Sequence, residues 1–328
     1  MGNFLESIQS ISPVAFSIGP FSAHWYGLAY LVGFIAASGL AYYFAKKWNV
    51  ALDFDNLLTI LISISIGVIV GSRLGFVLFY QPSFFWENPL QIIAFWDGGI
   101  SGMSFHGGLI GAILGAAVAA KLIKMPLLRL GDLVMIGTPI GLGLGRMANF
   151  INGELWGRTT EVSWGVIFPA ADSLVRHPSQ VYEALLQGLL IFVVLFVIAQ
   201  IAAKKGKPPA QGTIVGTFLV LYGAVRIFAE FFREPDSQLG FLAGDWLTMG
   251  MLLSAPMIIA GAFFLWRAFK ISSAGADDLP SRHSEKSAKH AGEESKKQSK
   301  KVASKDKQDK KQDSQQEKKQ NKKQQKKK

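Results

Sequence analysis

Long apolar stretches recur along this chain, and they constrain its fold more than any other feature. A helix needs roughly 20 mostly apolar residues to cross a bilayer. Seven stretches reach that length, near residues 24–45, 57–79, 102–121, 131–151, 179–203, 211–232 and 246–269. They predict an all-α polytopic membrane protein with about seven transmembrane helices.

Basic residues between these stretches indicate how the helices are oriented, because cytoplasmic loops are enriched in Lys and Arg. The alternate segments carry only Arg158, Arg176 and Arg233. The segments after the first, third, fifth and seventh stretches carry most of the basic residues, namely Lys46, Lys47, Lys121, Lys124, Arg129, Lys204, Lys205, Lys207, Arg267 and Lys270. This bias predicts an N-terminus outside and a C-terminus in the cytoplasm.

The composition changes sharply near residue 270. Residues 271–328 hold 18 Lys or Arg and 9 Asp or Glu, so they account for +9 of the net charge of +11. This Lys- and Gln-rich segment has too few apolar residues to offset the entropy of ordering, which predicts a disordered cytoplasmic tail. It could bind anionic lipid or only aid solubility. The basic charge therefore does not indicate a nucleic-acid-binding fold, and no nucleic acid partner is expected.

Three arginines, Arg73, Arg146 and Arg226, lie inside predicted spans. Placing a charged side chain inside a bilayer costs free energy, so an arginine there suggests a functional site. Under the predicted orientation, all three lie in the outer part of their helices, and Tyr26, His106 and Glu183 begin helices from the same side. We therefore predict one polar layer at the outer leaflet, although Arg73 is close enough to the end of its span to snorkel.

A single cationic layer suits a lipid phosphate, because the planar guanidinium donates two hydrogen bonds to phosphate oxygens and stays charged. A transporter or flippase for an anionic lipid or small anion is the alternative. Such a protein would be expected to have inverted repeats or charges distributed across the depth of the bilayer. Neither is evident in the sequence.

Local spacings support a constructed site. Tyr222, Arg226 and Glu230 follow one another at intervals of four residues and share a helix face, although the last two could form only a neutralising ion pair. Arg146 and Asn149 also share a face.

Two further motifs contain ionisable residues at the start of predicted helices. His106 precedes two glycines, where backbone and ligand could approach closely, and a lone histidine there is either a structural hydrogen-bonding group or a base. Glu183 lies in a segment that indicates a helix start, which favours a capping or structural role. Glycines four residues apart in several spans predict close helix packing.

The chain contains no cysteine. Thiolate nucleophiles, disulfides and cysteine metal sites are therefore excluded, and any reacting thiol must come from a substrate. We expect no metal and no cofactor, since His24, His106 and His177 lack the spacing to carboxylates that metal ligands show.

With these residues in view, the sequence closely resembles the prolipoprotein diacylglyceryl transferase family over residues 13–270. The outer segment between Arg158 and Arg176 is shorter than in familiar members of that family. The resembling stretches, in the family's order, are HWYGLAYLVGF, GSRLGFVLFY, FHGGLIG, GRMANFINGELWGR, RHPSQVYE and YGAVRIFAEFFREPD.

The resemblance implies a reaction and a location. The diacylglyceryl group of phosphatidylglycerol would move to the thiol of the lipobox cysteine in a preprolipoprotein, giving a thioether and glycerol phosphate. Residues 1–270 would be the catalytic domain, in the bacterial inner membrane, with the active site toward the outer leaflet. The implied partners are phosphatidylglycerol, the signal peptides of preprolipoproteins and the bilayer.

The resemblance also implies the site residues. The catalytic residues would be His106, Arg146, Arg226 and Tyr26. Phosphatidylglycerol would be bound by Arg146, Asn149, Glu154, Gly157, Tyr222, Arg226 and Glu230.

The roles of the ionisable groups leave one question open. His106 is the candidate base, because the ordinary pKa of imidazole is close to physiological pH. Alternatively, the arginines lower the pKa of the substrate thiol and His106 only positions the lipid. We expect Glu154 and Glu230 to orient the arginines and not to act as bases.

Overall fold

The computed structural model describes residues 5, 7–8, 11–19, 21–93, 102–235, 240–244 and 246–274. Residues 1–48 and 52–278 form one compact unit, and residues 49–51 with 279–328 form another. In the second unit only the short connection 49–51 is described, and Asn49 there has a φ of 56°. From residue 275 onward, the predicted disordered tail lies outside the described residues. The elements below belong to the first unit.

The first unit is mostly helical, with two short β-hairpins. In chain order its elements are β1 (Val14–Ile18), β2 (Phe21–His24), α1 (Trp25–Lys47), α2 (Phe54–Phe79), α3 (Pro82–Glu87), α4 (Phe105–Leu122), α5 (Leu127–Met135), α6 (Thr138–Ile151), β3 (Val166–Ile167), β4 (Val175–Arg176), α7 (Ser179–Lys204), α8 (Thr213–Glu230) and α9 (Met249–Ala274). A 3₁₀ turn, Pro89–Ile92, follows α3.

The number of spans confirms the prediction. Within the described residues, six helices are long and apolar enough to cross a membrane, and the number is seven when the bent pair α5 and α6 is counted as one span. The expectation of one continuous helix over 131–151 is wrong, because α5 and α6 meet at an angle of 48°. Pro139, in the first turn of α6, has no amide hydrogen to continue the helical ladder, so the helix breaks just before it.

Glycines set the closest helix contacts, as their spacing predicts. Between α2 and α4, a Cβ atom built on Gly71 would lie 2.8 Å from the Cα atom of Gly111, and one built on Gly107 would overlap the carbonyl oxygen of Gly71. Between α6 and α7, a Cβ atom on Gly143 would lie 3.0 Å from the Cα atom of Gly188. Only a residue without a side chain permits these backbones to approach so closely.

The α7 helix contains a π-helical stretch, Ala184–Leu190, directly after Glu183. Such π-helical stretches are rare in proteins, and those that are found often lie at functional sites. Gly188, where α6 approaches most closely, lies within it. The irregular turns of α7 therefore lie at its contact with α6.

Helix direction brings the predicted site residues to one end of the spans. In the antiparallel pair of α1 and α6, Gly33 faces Gly141 and Ala37 faces Gly137. The start of α1, with Tyr26, therefore lies level with the end of α6. The same end carries the start of α7 and the end of α8, since ion pairs join these three helices there.

Candidate functional site

One buried carboxylate lies where α6, α7 and α8 meet. An oxygen of Glu183 lies 3.1 Å from Nε of Arg146, and its other oxygen lies 2.7 Å from Nη1 of Arg226. Arg233 Nη1 is 3.9 Å from that second oxygen. We call Arg146, Glu183, Arg226, Glu230 and Arg233 the arginine cluster.

The second carboxylate of the cluster belongs to Glu230. It forms an ion pair with Arg226, one helical turn earlier, and its Oε2 accepts a hydrogen bond of 2.8 Å from the hydroxyl of Thr248. The spacing of four residues in the sequence thus corresponds to a real contact. Because α9 begins just after Thr248, this bond also ties α8 to α9.

Exposure differs between the two signs of charge. The side chains of Arg146 and Arg226 are 18% and 15% exposed, whereas that of Glu183 is fully buried. The carboxylates therefore lie behind the guanidinium groups, which keep an accessible side. With all groups ionised, three arginines and two glutamates leave one net positive charge, which matches the single negative charge of a phosphodiester.

A small pocket, open to the outside, adjoins the cluster between the end of α8 and the start of α9. Arg226 and Arg233 contribute to its wall, together with Thr248 and Gly250. A polar group bound there would meet donors that are already held in place by the two carboxylates.

Asn149 and Glu154 form a separate polar pair after Arg146. The buried amide of Asn149 donates to Oε1 of Glu154 at 2.8 Å, and the amide of Asn152 donates to the same oxygen at 3.2 Å. In the described residues the partners of Glu154 are these two amides, whereas Glu230 forms an ion pair with an arginine. The expectation that both glutamates orient arginines and do not act as bases stays a prediction.

Gly157 lies at a crossing of three backbone segments. Its amide donates to the carbonyl oxygen of His177 at 3.0 Å, and its own carbonyl accepts from Nη1 of Arg176 at 3.0 Å. A Cβ atom here would lie 2.6 Å from the carbonyl oxygen of Phe232. The described contacts thus give Gly157 a packing reason to be glycine.

The short segment between Arg158 and Arg176 folds over the end of α6. Strands β3 and β4 pair antiparallel, and Phe168 packs with Phe150 beneath them. Arg176 pairs with Asp172 inside this segment at 2.7 Å, and it joins the segment to the chain beyond α8 through Glu234 at 3.1 Å. The hydrogen bonds from Arg176 hold the pKa of the Asp172 carboxyl below its ordinary value.

His177 lies at the edge of this cover, just before α7. Its Nδ1 is 3.1 Å from the hydroxyl of Tyr182, which also accepts a hydrogen bond of 2.7 Å from the indole of Trp164. The ring of Phe232 packs edge-on against the imidazole. Burial lowers the pKa of His177 below its ordinary value, because the charged form loses hydration.

Among the described residues, the two predicted tyrosines make no hydrogen bond to the cluster. The hydroxyl of Tyr26 is 2.9 Å from that of Tyr30. The ring of Tyr222 stacks on Phe218, with centroids 5.6 Å apart, one turn before Arg226.

His106 lies in the first turn of α4. The hydroxyl of Ser104 caps this helix by accepting from the amide of Gly107 at 3.3 Å. Within the part of the chain that the structure describes, the exposed imidazole makes neither a hydrogen bond nor an ion pair. Its ring nitrogens are thus available to a substrate group.

Three charged residues differ from what the sequence predicts. Glu183 does not cap its helix, because the N-cap is Pro178 and the glutamate pairs with arginines. Arg233, assigned to a loop, belongs to the cluster. Arg73 does not snorkel, because it is buried and donates to backbone carbonyls. The sequence feature that points to Glu183 as a site residue is its position as a lone acid at the start of a strongly apolar span.

Comparison with known proteins agrees with this architecture. The sequence model of the prolipoprotein diacylglyceryl transferase family matches residues 13–267. A protein of Brucella anthropi is 44% identical over 280 residues, which cover 82% of this chain and 96% of that protein. Proteins of Brucella canis and Brucella ovis are 45% identical over the same shares. All three are named phosphatidylglycerol–prolipoprotein diacylglyceryl transferase.

The match therefore covers all seven spans and every residue of the arginine cluster, and this chain belongs to the prolipoprotein diacylglyceryl transferase family.

Proposed function

We propose that this protein transfers the diacylglyceryl group of phosphatidylglycerol to the cysteine thiol of a preprolipoprotein. The observation that supports it best is the pair of partly exposed guanidinium groups held by one buried carboxylate. Donors fixed in advance stabilise charge that develops in a transition state better than donors that must first reorganise. Two fixed arginines are thus suited to a departing phosphate.

The reaction needs two kinds of help from the protein. The sulfur atom attacks the glyceryl carbon that carries the phosphate oxygen, so a carbon–sulfur bond forms as the carbon–oxygen bond breaks. Glycerol phosphate leaves with the bonding electron pair, and Arg146 and Arg226 stabilise its charge. The thiol must also lose its proton, because the thiolate is the nucleophile.

His106 is the proposed acceptor of the thiol proton. Its exposed imidazole has no described partner that would block a ring nitrogen. In the competing mechanism, the net positive charge of the cluster lowers the pKa of the thiol, and His106 positions the lipid. Asn149, with its amide held by Glu154, supplies an uncharged donor beside Arg146 in both mechanisms.

The proposed setting is the bacterial inner membrane, with the cluster toward the outer leaflet and the signal peptide as the protein partner. The seven apolar spans support a multi-pass membrane protein. The positive-inside bias supports the choice of side.

An assay with purified protein tests this function. We would incubate the protein in detergent with phosphatidylglycerol and a lipobox peptide, and analyse the peptide by mass spectrometry. We expect a diacylglyceryl mass increment that disappears when the peptide cysteine is replaced by serine. Movement of lipid across vesicles without peptide modification would support the transporter alternative.

A conservative variant tests the role of the guanidinium. Arg146→Lys keeps the charge but loses the two-pronged donor, so we expect a loss of rate on the order of 100-fold. Arg267→Lys, in α9 and outside the cluster, is the matched control. Near-normal turnover by Arg146→Lys would contradict the proposed phosphate contact.

A further inference from the structure

Arg73 is a buried charged side chain that the proposed reaction does not use. It lies in α2 and donates from Nε to the carbonyl oxygen of Ile92 at 2.7 Å, from Nη1 to that of Gly102 at 3.2 Å, and from Nη2 to that of Gln91 at 2.5 Å. Its guanidinium carbon lies 5.0 Å from the centre of the Phe85 ring. These contacts bind it to protein backbone.

The three carbonyls belong to two ends of one connection. Gln91 and Ile92 lie in the 3₁₀ turn after α3, whereas Gly102 lies on the return toward α4. One guanidinium therefore joins both ends, and residues 94–101 between them lie outside the described part. A planar group with five donors can serve three carbonyls at once, which an ammonium group on a flexible stem does less well.

The return from Gly102 leads directly into the helix that carries His106. The neighbour of Arg73, Ser72, accepts a hydrogen bond of 2.9 Å at its carbonyl from the amide of Ser104, the N-cap of α4. Two adjacent residues of α2, Ser72 and Arg73, thus bind Ser104 and Gly102, which lead into α4. His106 follows the N-cap by two positions, so its place depends on these bonds.

The other end of the connection exposes large apolar side chains. Trp86 of α3 is 90% exposed and Leu90 is 71% exposed, as expected for groups that face the membrane interface. Forces from the lipid on this arm, residues 82–93, would reach the start of α4 unless the two were fixed to a rigid helix. Arg73 supplies that fixed point.

We propose that Arg73 is a positioning residue that holds the start of α4, and with it His106, in the geometry the transfer reaction needs. This inference rests on the proposed function, in which His106 meets the substrate thiol or lipid. A residue with this role affects the catalytic rate more than substrate binding, because an error of about 1 Å in the place of a reacting group can cost on the order of 100-fold in rate.

The test compares Arg73→Gln, His106→Gln and the double variant in the peptide assay. We expect Arg73→Gln to lower kcat about 10- to 100-fold and to leave KM for phosphatidylglycerol within about twofold. In the His106→Gln background, the same change should lower kcat by less than about twofold, because its effect acts through the missing imidazole. Arg267→Gln is the control for loss of an arginine.

A cross-link provides a second readout. The natural chain has no cysteine, so Leu90→Cys with Met103→Cys introduces the only two thiols, one beside each end of the connection. In the Arg73→Gln variant, a short bis-maleimide between them, with excess reagent quenched, should restore most of the lost kcat. The same cysteine pair with Arg73 intact should react at the normal rate before and after cross-linking.

Other outcomes overturn the inference. A lower melting temperature with unchanged kcat would show a structural role only, and a raised KM alone would show a lipid contact. Independent losses that multiply in the double variant would show that Arg73 does not act through His106. Failure of the unmodified protein to modify the peptide would instead contradict the proposed function.

Discussion

A single carboxylate, that of Glu183, forms ion pairs with arginines from two different helices. Breaking a buried ion pair by removing one partner costs about 3–5 kcal/mol, because the remaining charge is left uncompensated. Here the loss of one negative charge would affect both Arg146 and Arg226.

We therefore expect Glu183→Gln to lower both stability and activity. The amide keeps the shape but removes the charge, so the melting temperature in detergent should fall and the rate of peptide modification should drop at least about 100-fold. Glu161→Gln, an exposed acid in the outer segment, is the matched control. Melting and rates equal to those of the unmodified protein would show that Glu183 is not needed to hold the arginines.

The sequence shows why Glu230 was predictable as a partner of Arg226 and Glu183 was not. Arg226 and Glu230 lie four residues apart on one helix, so helical geometry alone brings them together. Glu183 is separated by 43 residues from Arg226, and only the packing of α7 on α8 makes them neighbours. A pairing of that kind depends on tertiary structure, which spacing does not encode.

At the scale of whole elements, the contact between α2 and α4 shows most clearly that glycines allow two helices to pack closely. A Cβ atom on Gly111 would overlap the carbonyl oxygen of Gly67. In α1, by contrast, a Cβ atom on the exposed Gly39 would meet no atom within 4 Å.

These two glycines make a matched pair of variants. We expect Gly111→Ala to destabilise the protein by about 1–3 kcal/mol, since the backbones must move apart, and to slow the reaction because α4 carries His106. Gly39→Ala should leave the melting temperature and rate unchanged. Equal effects of the two substitutions on the melting temperature and rate would show that the distance to neighbouring atoms does not determine the cost of an added methyl group.

The stability of the folded protein should depend on pH through His177, which lies between β4 and α7. Burial lowers the pKa of this histidine in the folded protein, so the unfolded chain binds the proton more readily. Stability should thus be constant above the ordinary pKa of about 6.5 and fall as the pH drops toward the folded value.

Melting temperatures in detergent between pH 5 and pH 8 would measure this dependence, with His177→Gln as the comparison. The variant cannot gain a proton at this position, so its melting temperature should fall less below about pH 6.5. An identical decline in both proteins would assign the effect to other groups.

The break between α5 and α6 shows the limit of hydropathy at the scale of an element. Residues 131–151 are mostly apolar, with Asp132, Arg146 and Asn149 as the exceptions, so their composition fits one span. Pro139 marks the break in the sequence, but proline is tolerated within membrane helices when neighbours satisfy the freed backbone groups. The bend angle therefore follows from packing of both segments against other helices, which the sequence alone does not give.

For the molecule as a whole, the number of spans was predictable because hydrophobic length is a local property. The orientation of the spans is a further prediction, and the absence of cysteine makes it simple to test. A membrane-impermeant maleimide on intact bacteria should label Glu161→Cys but not Lys207→Cys. The reverse pattern would contradict the orientation and place the cluster toward the cytoplasm.

The excess of one positive charge in the arginine cluster has a consequence for lipid selection. In a medium of low dielectric constant, an occupied site is most stable when its total charge is zero, so we expect the proposed site to discriminate among headgroups by net charge. A headgroup with one phosphate and an uncharged glycerol would bring the total to zero. A headgroup with an added ammonium would leave one positive charge, and a second phosphate would leave one negative charge.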